Sequence, residues 1–84
     1  MASQQSTRAA VSDGVITARV KAALNLDPLT AAFDIHVDTL AHVVELRGFV
    51  ETTQVRDEAL EVARSIEGVQ EVNDALDIRL LRRT

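Results

Sequence analysis

The chain has 84 residues, 46% of them hydrophobic, with three glycines, one proline and no cysteine. That length supports one compact domain and excludes two, and without cysteine neither a disulfide framework nor a thiolate metal site can reinforce a small core. Nine Lys and Arg against thirteen Asp and Glu leave a formal charge of −4, which repels nucleic acid at long range, so no nucleic-acid partner is expected.

The stretch Met1 to Ser12 is polar and small, lacks apolar periodicity and has no apolar signal core, so residues 1–12 read as a flexible polar tail. The domain is expected over residues 13–81. It begins with a helix from Asp13 to Asn25, because Ile16, Val20, Ala23 and Leu24 recur at i, i+4, i+7 and i+8. Ser12 or Asp13 supplies the N-cap oxygen, and Pro28 ends the helix, since the residue before proline avoids helical angles.

The period then falls to two. Ile35 and Val37 alternate with Asp34, His36 and Asp38, and Val44, Leu46, Gly48 and Val50 alternate with Glu45, Arg47 and Phe49. The two runs form a hairpin turning around Leu40 to Val43, and aligning their apolar faces pairs Val37 with Leu46 and Ile35 with Gly48. Gly48 thus faces inward as a structural residue that admits a helix backbone or bulky neighbour.

Thr52 or Thr53 opens a second helix whose apolar stripe is Val55, Ala59, Val62, Ala63 and Ile66, with Gly68 in the left-handed position that ends it. Asp57, Glu58, Glu61 and Arg64 make its outer face acidic. A third strand follows, with Leu76, Ile78 and Leu80 alternating with Ala75, Asp77, Arg79 and Leu81. Each helix has one apolar stripe, so both must lie on a shared face of the sheet: an α+β, two-layer αββαβ sandwich. The other sheet face should show His36, Asp38, Glu45, Arg47, Asp77 and Arg79 to water.

These residues resemble a known family. Asp13-Gly14-Val15-Ile16-Thr17-Ala18-Arg19-Val20-Lys21-Ala22-Ala23-Leu24, then Asp27-Pro28 and Phe33-Asp34-Ile35-His36-Val37, are similar to the opening half of a BON domain. Val44 to Val50, Ala63 to Val69 and Val72 to Leu76 resemble its central strand, closing helix and last strand. The sequence departs from the family at His42, where glycine is common. The resemblance implies a non-catalytic module of bacterial envelope proteins, linked to osmotic stress and membrane integrity, with phospholipid surfaces as ligand and no cofactor.

The residues agree with a binding role more than with catalysis. No nucleophile stands beside a base, and no carboxylate pair is set in a pocket, so no catalytic residue is expected. His36, His42 and Asp38 form no closed ligand set, and solvent-facing His and Asp on a strand are ordinarily hydrated, so no metal site is expected either. Phe33 and Phe49 are the chain's two aromatics, too few for base stacking or a membrane aromatic belt, and no apolar run is long enough to span a bilayer.

On the first helix Arg19 and Lys21 flank the apolar stripe on opposite sides, with Arg82 and Arg83 as further cations, and Val15, Ala18 and Ala22 leave part of the helix apolar or neutral outside that stripe. These are the candidate lipid or partner contacts. Two other readings stand beside the lipid one. Apolar positions at Val15, Leu60 and Leu81 and exposed strand edges suit a protein-interaction or self-assembly module, including a homo-oligomer. Some cytoplasmic BON proteins sense a small cation such as potassium, a role the resemblance also permits. The chain is expected in the cytoplasm if complete, and in the periplasm or envelope if it belongs to an exported protein.

Overall fold

The computed structural model describes residues 11–79. Helix α1 spans Asp13–Leu26, strand β1 His36–Leu40, strand β2 Val43–Val50, helix α2 Thr53–Arg64 and strand β3 Glu71–Ile78. The strands form one mixed sheet in the order β1-β2-β3, with β1 antiparallel and β3 parallel to β2. The parallel pair is closed by α2, which crosses from the end of β2 back to the start of β3. Both helices cover one sheet face, as their single apolar stripes require.

The core lies between the layers. Ile16, Val20 and Leu24 descend from α1, Val55, Ala59, Leu60 and Ala63 from α2, and Ile35, Val37, Val44, Leu46, Val50 and Leu76 rise from the sheet side. The register places Val37 opposite Leu46, as the alternation predicts. Val11 packs against this core and the Ser12 hydroxyl accepts the Val15 N–H at 3.2 Å, so the packing takes in two residues of the stretch read as tail. The Thr52 hydroxyl caps α2 in the same way, accepting the Val55 N–H at 3.2 Å.

Several expectations need correction. Gly68 does not end α2: the helix stops at Arg64 with Ser65 as its C-cap, and Gly68, at φ 97°, sits in the following turn, where the Val69 N–H donates to the Ile66 carbonyl at 3.2 Å. A Cβ at Gly68 would meet the Val11 and Ile16 side chains at 3.1 and 3.2 Å, so the glycine also lets this turn close on the start of α1. Gly48 is needed for a reason other than helix packing. It has φ 135°, and a Cβ there would lie 2.8 Å from the Asp34 carbonyl oxygen, so backbone leading into β1 is what approaches. Leu60 is buried, not spare. Ile78, expected in the core, is 41% exposed, lying at the last position of an edge strand with a neighbouring strand on one side alone among the described residues. The readings of Leu80 to Thr84 fall outside the described residues.

The hairpin turn shows how the chain manages without glycine at position 42. Ala41 and His42 both adopt left-handed angles, φ 52° and 68°, which disfavour residues carrying a Cβ. The Asp13 carboxylate meets this turn, accepting the N–H groups of Ala41 and His42, each at 2.9 Å. The His42 ring Nε2 lies 2.8 Å from the Val11 carbonyl oxygen, so the same few residues clasp the turn from two directions. The hydrogen bonds from His42, then Ala41, hold the Asp13 carboxyl below its ordinary pKa.

Candidate interaction surface on the first helix

Burial of Ile16, Val20 and Leu24 fixes which side of α1 faces out. At about 100° per residue, Val15, Ala18, Ala22 and Leu26 form a line on the opposite side, with Arg19 and Lys21 to its two flanks. All six are exposed, Val15 to 42% and Leu26 to 83%. Leu29, in the loop beyond the helix and 40% exposed, adds a further apolar side chain near this end. The five residues singled out from sequence thus share one surface. Arg82 and Arg83 lie outside the described residues.

Leu26 and Leu29 were missed as contributors. Leu26 was within reach of the sequence pattern, since it stands four residues after Ala22. Pro28 pointed instead to an earlier helix end, whereas the helix continues to Leu26 and the proline begins a compact turn. In that turn the Asp27 carboxylate accepts the N–H groups of Leu29 and Thr30 at 2.8 and 3.3 Å. Thr30 is fully buried and its hydroxyl donates to the Leu24 carbonyl at 2.7 Å, satisfying an acceptor at the helix end. The helix is thereby tied down at both termini, and the hydroxyls of Thr17 and Thr39, 2.8 Å apart, fasten its middle to β1.

Electrostatics separate this surface from the remainder. Arg47 pairs with Asp38 at 2.7 Å and Glu45 at 3.5 Å, Arg56 with Asp57 at 3.3 Å and Asp74 at 3.7 Å, and Arg64 with Glu61 at 3.9 Å. The Arg79 guanidinium lies 4.4 Å from the Phe49 ring centroid. Among the described residues, Arg19 and Lys21 are the basic side chains with neither a carboxylate within 4.0 Å nor an aromatic ring beneath them. Both belong to the apolar face of α1. A shallow depression of about 220 Å³ adjoins Lys21, between the end of α1 and the approach to β1, and is lined also by Leu24, Asn25, Phe33, Asp34 and Ile35.

Two other groups singled out from the sequence are engaged in local contacts. Asp38 is engaged by Arg47 and the His42 ring by Val11, and no three metal-ligating side chains converge among the described residues. Asp27 and Glu58 meet across the two helices. Their mutual hydrogen bond raises the Glu58 carboxyl and lowers the Asp27 carboxyl, the behaviour of two acids competing for one proton. No helix among the described residues is long and apolar enough to cross a membrane.

Comparison with known proteins agrees with this architecture. A family model described as BON domain matches residues 12–79. The chain is 46% identical over 67 residues to osmotically-inducible protein Y of Escherichia coli (strain K12), an alignment covering 80% of this chain and 33% of that protein. The chain therefore spans about one third of that relative's length. The match covers both helices and all three strands, and on that ground the chain belongs to the BON domain family.

Proposed function

We propose that this domain is a non-catalytic binding module that associates with phospholipid membrane surfaces through the outer face of α1, in the service of envelope or osmotic-stress maintenance. The observation that carries the reading is the coincidence, on one helix, of an exposed apolar line with two cations that have no carboxylate partner among the described residues. An apolar strip alone fits many partners, and cations alone are ordinary surface. Together they match an anionic headgroup layer above acyl chains: the Arg and Lys stems lie along apolar surface while their charges reach outward. Each basic group near an anionic surface contributes about 1 kcal/mol, so two give weak, reversible attachment that strengthens with lipid charge. The osmotic context rests on the name of the relative, osmotically-inducible protein Y.

The test is co-sedimentation with liposomes of increasing anionic content. The pelleted fraction should rise with anionic lipid and fall with added salt. Binding indifferent to lipid charge would overturn the reading. A second reading, a protein partner on the same face, is favoured by the exposed apolar side chains of Leu26 and Leu29 at the end of α1. It predicts no vesicle binding at any composition.

A further inference from the structure

Strand β3 ends the sheet, and its outer edge has no strand beside it among the described residues. At eight residues it equals β2 in length and exceeds the five of β1, so it offers the longer of the two edges. Such an edge is a template for pairing with a second copy. The backbone directions follow from one bond: the Arg79 N–H donates to the Val50 carbonyl at 2.7 Å. Alternate residues back from Arg79, namely Asp77, Ala75 and Asn73, therefore turn their amides toward β2, and those of Val72, Asp74, Leu76 and Ile78 point to the open edge.

One of those open amides is already taken. The Leu76 N–H donates to Asp74 Oδ1 at 3.0 Å, a side-chain contact in the middle of a strand. The other oxygen, Asp74 Oδ2, lies 3.7 Å from Arg56 Nε on α2, and Arg56 is itself steadied by Asp57 at 3.3 Å. Helix α2 thus holds a carboxylate over the centre of the edge. Two-fold antiparallel pairing that keeps both helix layers on one face requires opposed residues of equal orientation. The two such pairings that overlap β3 most fully set Asp74 opposite its own counterpart or opposite the counterpart of Leu76. The first brings two carboxylates together, and the second needs the amide that Asp74 occupies.

We infer that Asp74, positioned by Arg56, is an edge guard that prevents this domain from joining a second copy through β3. Its two parts are a bond that withdraws the central donor and a charge that repels its like. The device works independently of the surface on α1.

The test is analytical ultracentrifugation of the full chain carrying Asp74→Val, with Asp74→Ala in parallel in case the valine variant fails to fold. Either folded variant should dimerise at least about tenfold more tightly than the wild-type chain, with amide exchange slowed at Leu76 and Ile78. Folded variants that stay as monomeric as wild type would overturn the inference. So would a dimer whose new protection maps to α1, or a wild-type chain already paired through β3.

Discussion

Helices α1 and α2 lie side by side on the same sheet face and bury comparable inner stripes, yet they treat water in opposite ways. Outward, α2 presents Gln54, Asp57, Glu61 and Arg64, with Glu61 and Arg64 paired at 3.9 Å, which is an ordinary solvated surface. Outward, α1 presents Val15, Ala18, Ala22 and Leu26 with two cations that no carboxylate pairs among the described residues. The fold needs only the inner stripe of either helix. What α1 carries on its outer side is therefore surplus to folding, and surplus apolar surface bordered by charge is what a binding face requires.

The sharpest way to break this contrast uses neighbouring residues on opposite sides of α1. Ile16→Ala should cost ~2 to 5 kcal/mol and unfold much of a domain this small, whereas Val15→Ser should stay within ~0.5 kcal/mol of wild type in urea denaturation. A comparable loss at Val15 would mean that the outer face is packed after all. The platform beneath both helices supplies the next effect. Gly48→Val combines a positive φ with an approach of 2.8 Å to the Asp34 carbonyl, and should destabilise by ~3 kcal/mol. An unchanged melting temperature would show that this backbone yields freely.

A smaller effect is read on vesicles. Arg19→Gln with Lys21→Gln should weaken binding to anionic liposomes by about 2 kcal/mol, or ~30-fold, with melting temperature unaltered. Asp57→Asn on α2 should leave that binding nearly the same. Equal losses from the two helices would erase the distinction between them.

The smallest effects are in pH dependence, and they have opposite signs at the two ends of α1. Asp13 has a lowered folded pKa from the turn amides, so its contribution is present above the ordinary carboxylate pKa and disappears as pH falls through the folded value. Asp13→Ala should lower the melting temperature at pH 7, with the deficit shrinking in acid. Glu58 has a raised folded pKa from its contact with Asp27, so its ionised form opposes folding at neutral pH and the opposition fades as pH falls. Glu58→Gln keeps a donor for Asp27 and should raise the melting temperature at pH 7, with the gain vanishing in acid. Parallel rather than opposed pH trends in thermal scans would contradict these assignments.

The sequence pattern was most informative where one residue's surroundings depend on its own segment. The apolar period of Ile16, Val20 and Leu24, the alternation that sets Val37 against Leu46, and the caps at Ser12 and Thr52 are local facts of that kind. The exposure of Val15, Ala18, Arg19, Lys21 and Ala22 was legible for the same reason, since a helix fixes the faces of its own residues. Contacts between distant segments were not. Gly68 suited a helix end by composition, but Arg64 ends the helix and the glycine answers to Val11 and Ile16 instead. Ala41 and His42 give no hint of a left-handed pair, because the carboxylate that stabilises them belongs to Asp13. Asp74 looks like one more acid on a strand until Arg56 is placed above it.

If the outer face of α1 binds as proposed, its fastenings bear on affinity as well as on shape. Asp13 grips the hairpin turn, Thr17 meets Thr39 and Thr30 seals the far terminus. A helix restrained at three points along its length arrives at a ligand already in its bound form. Association then forfeits little conformational freedom, and even a modest number of contacts can translate almost fully into adhesion.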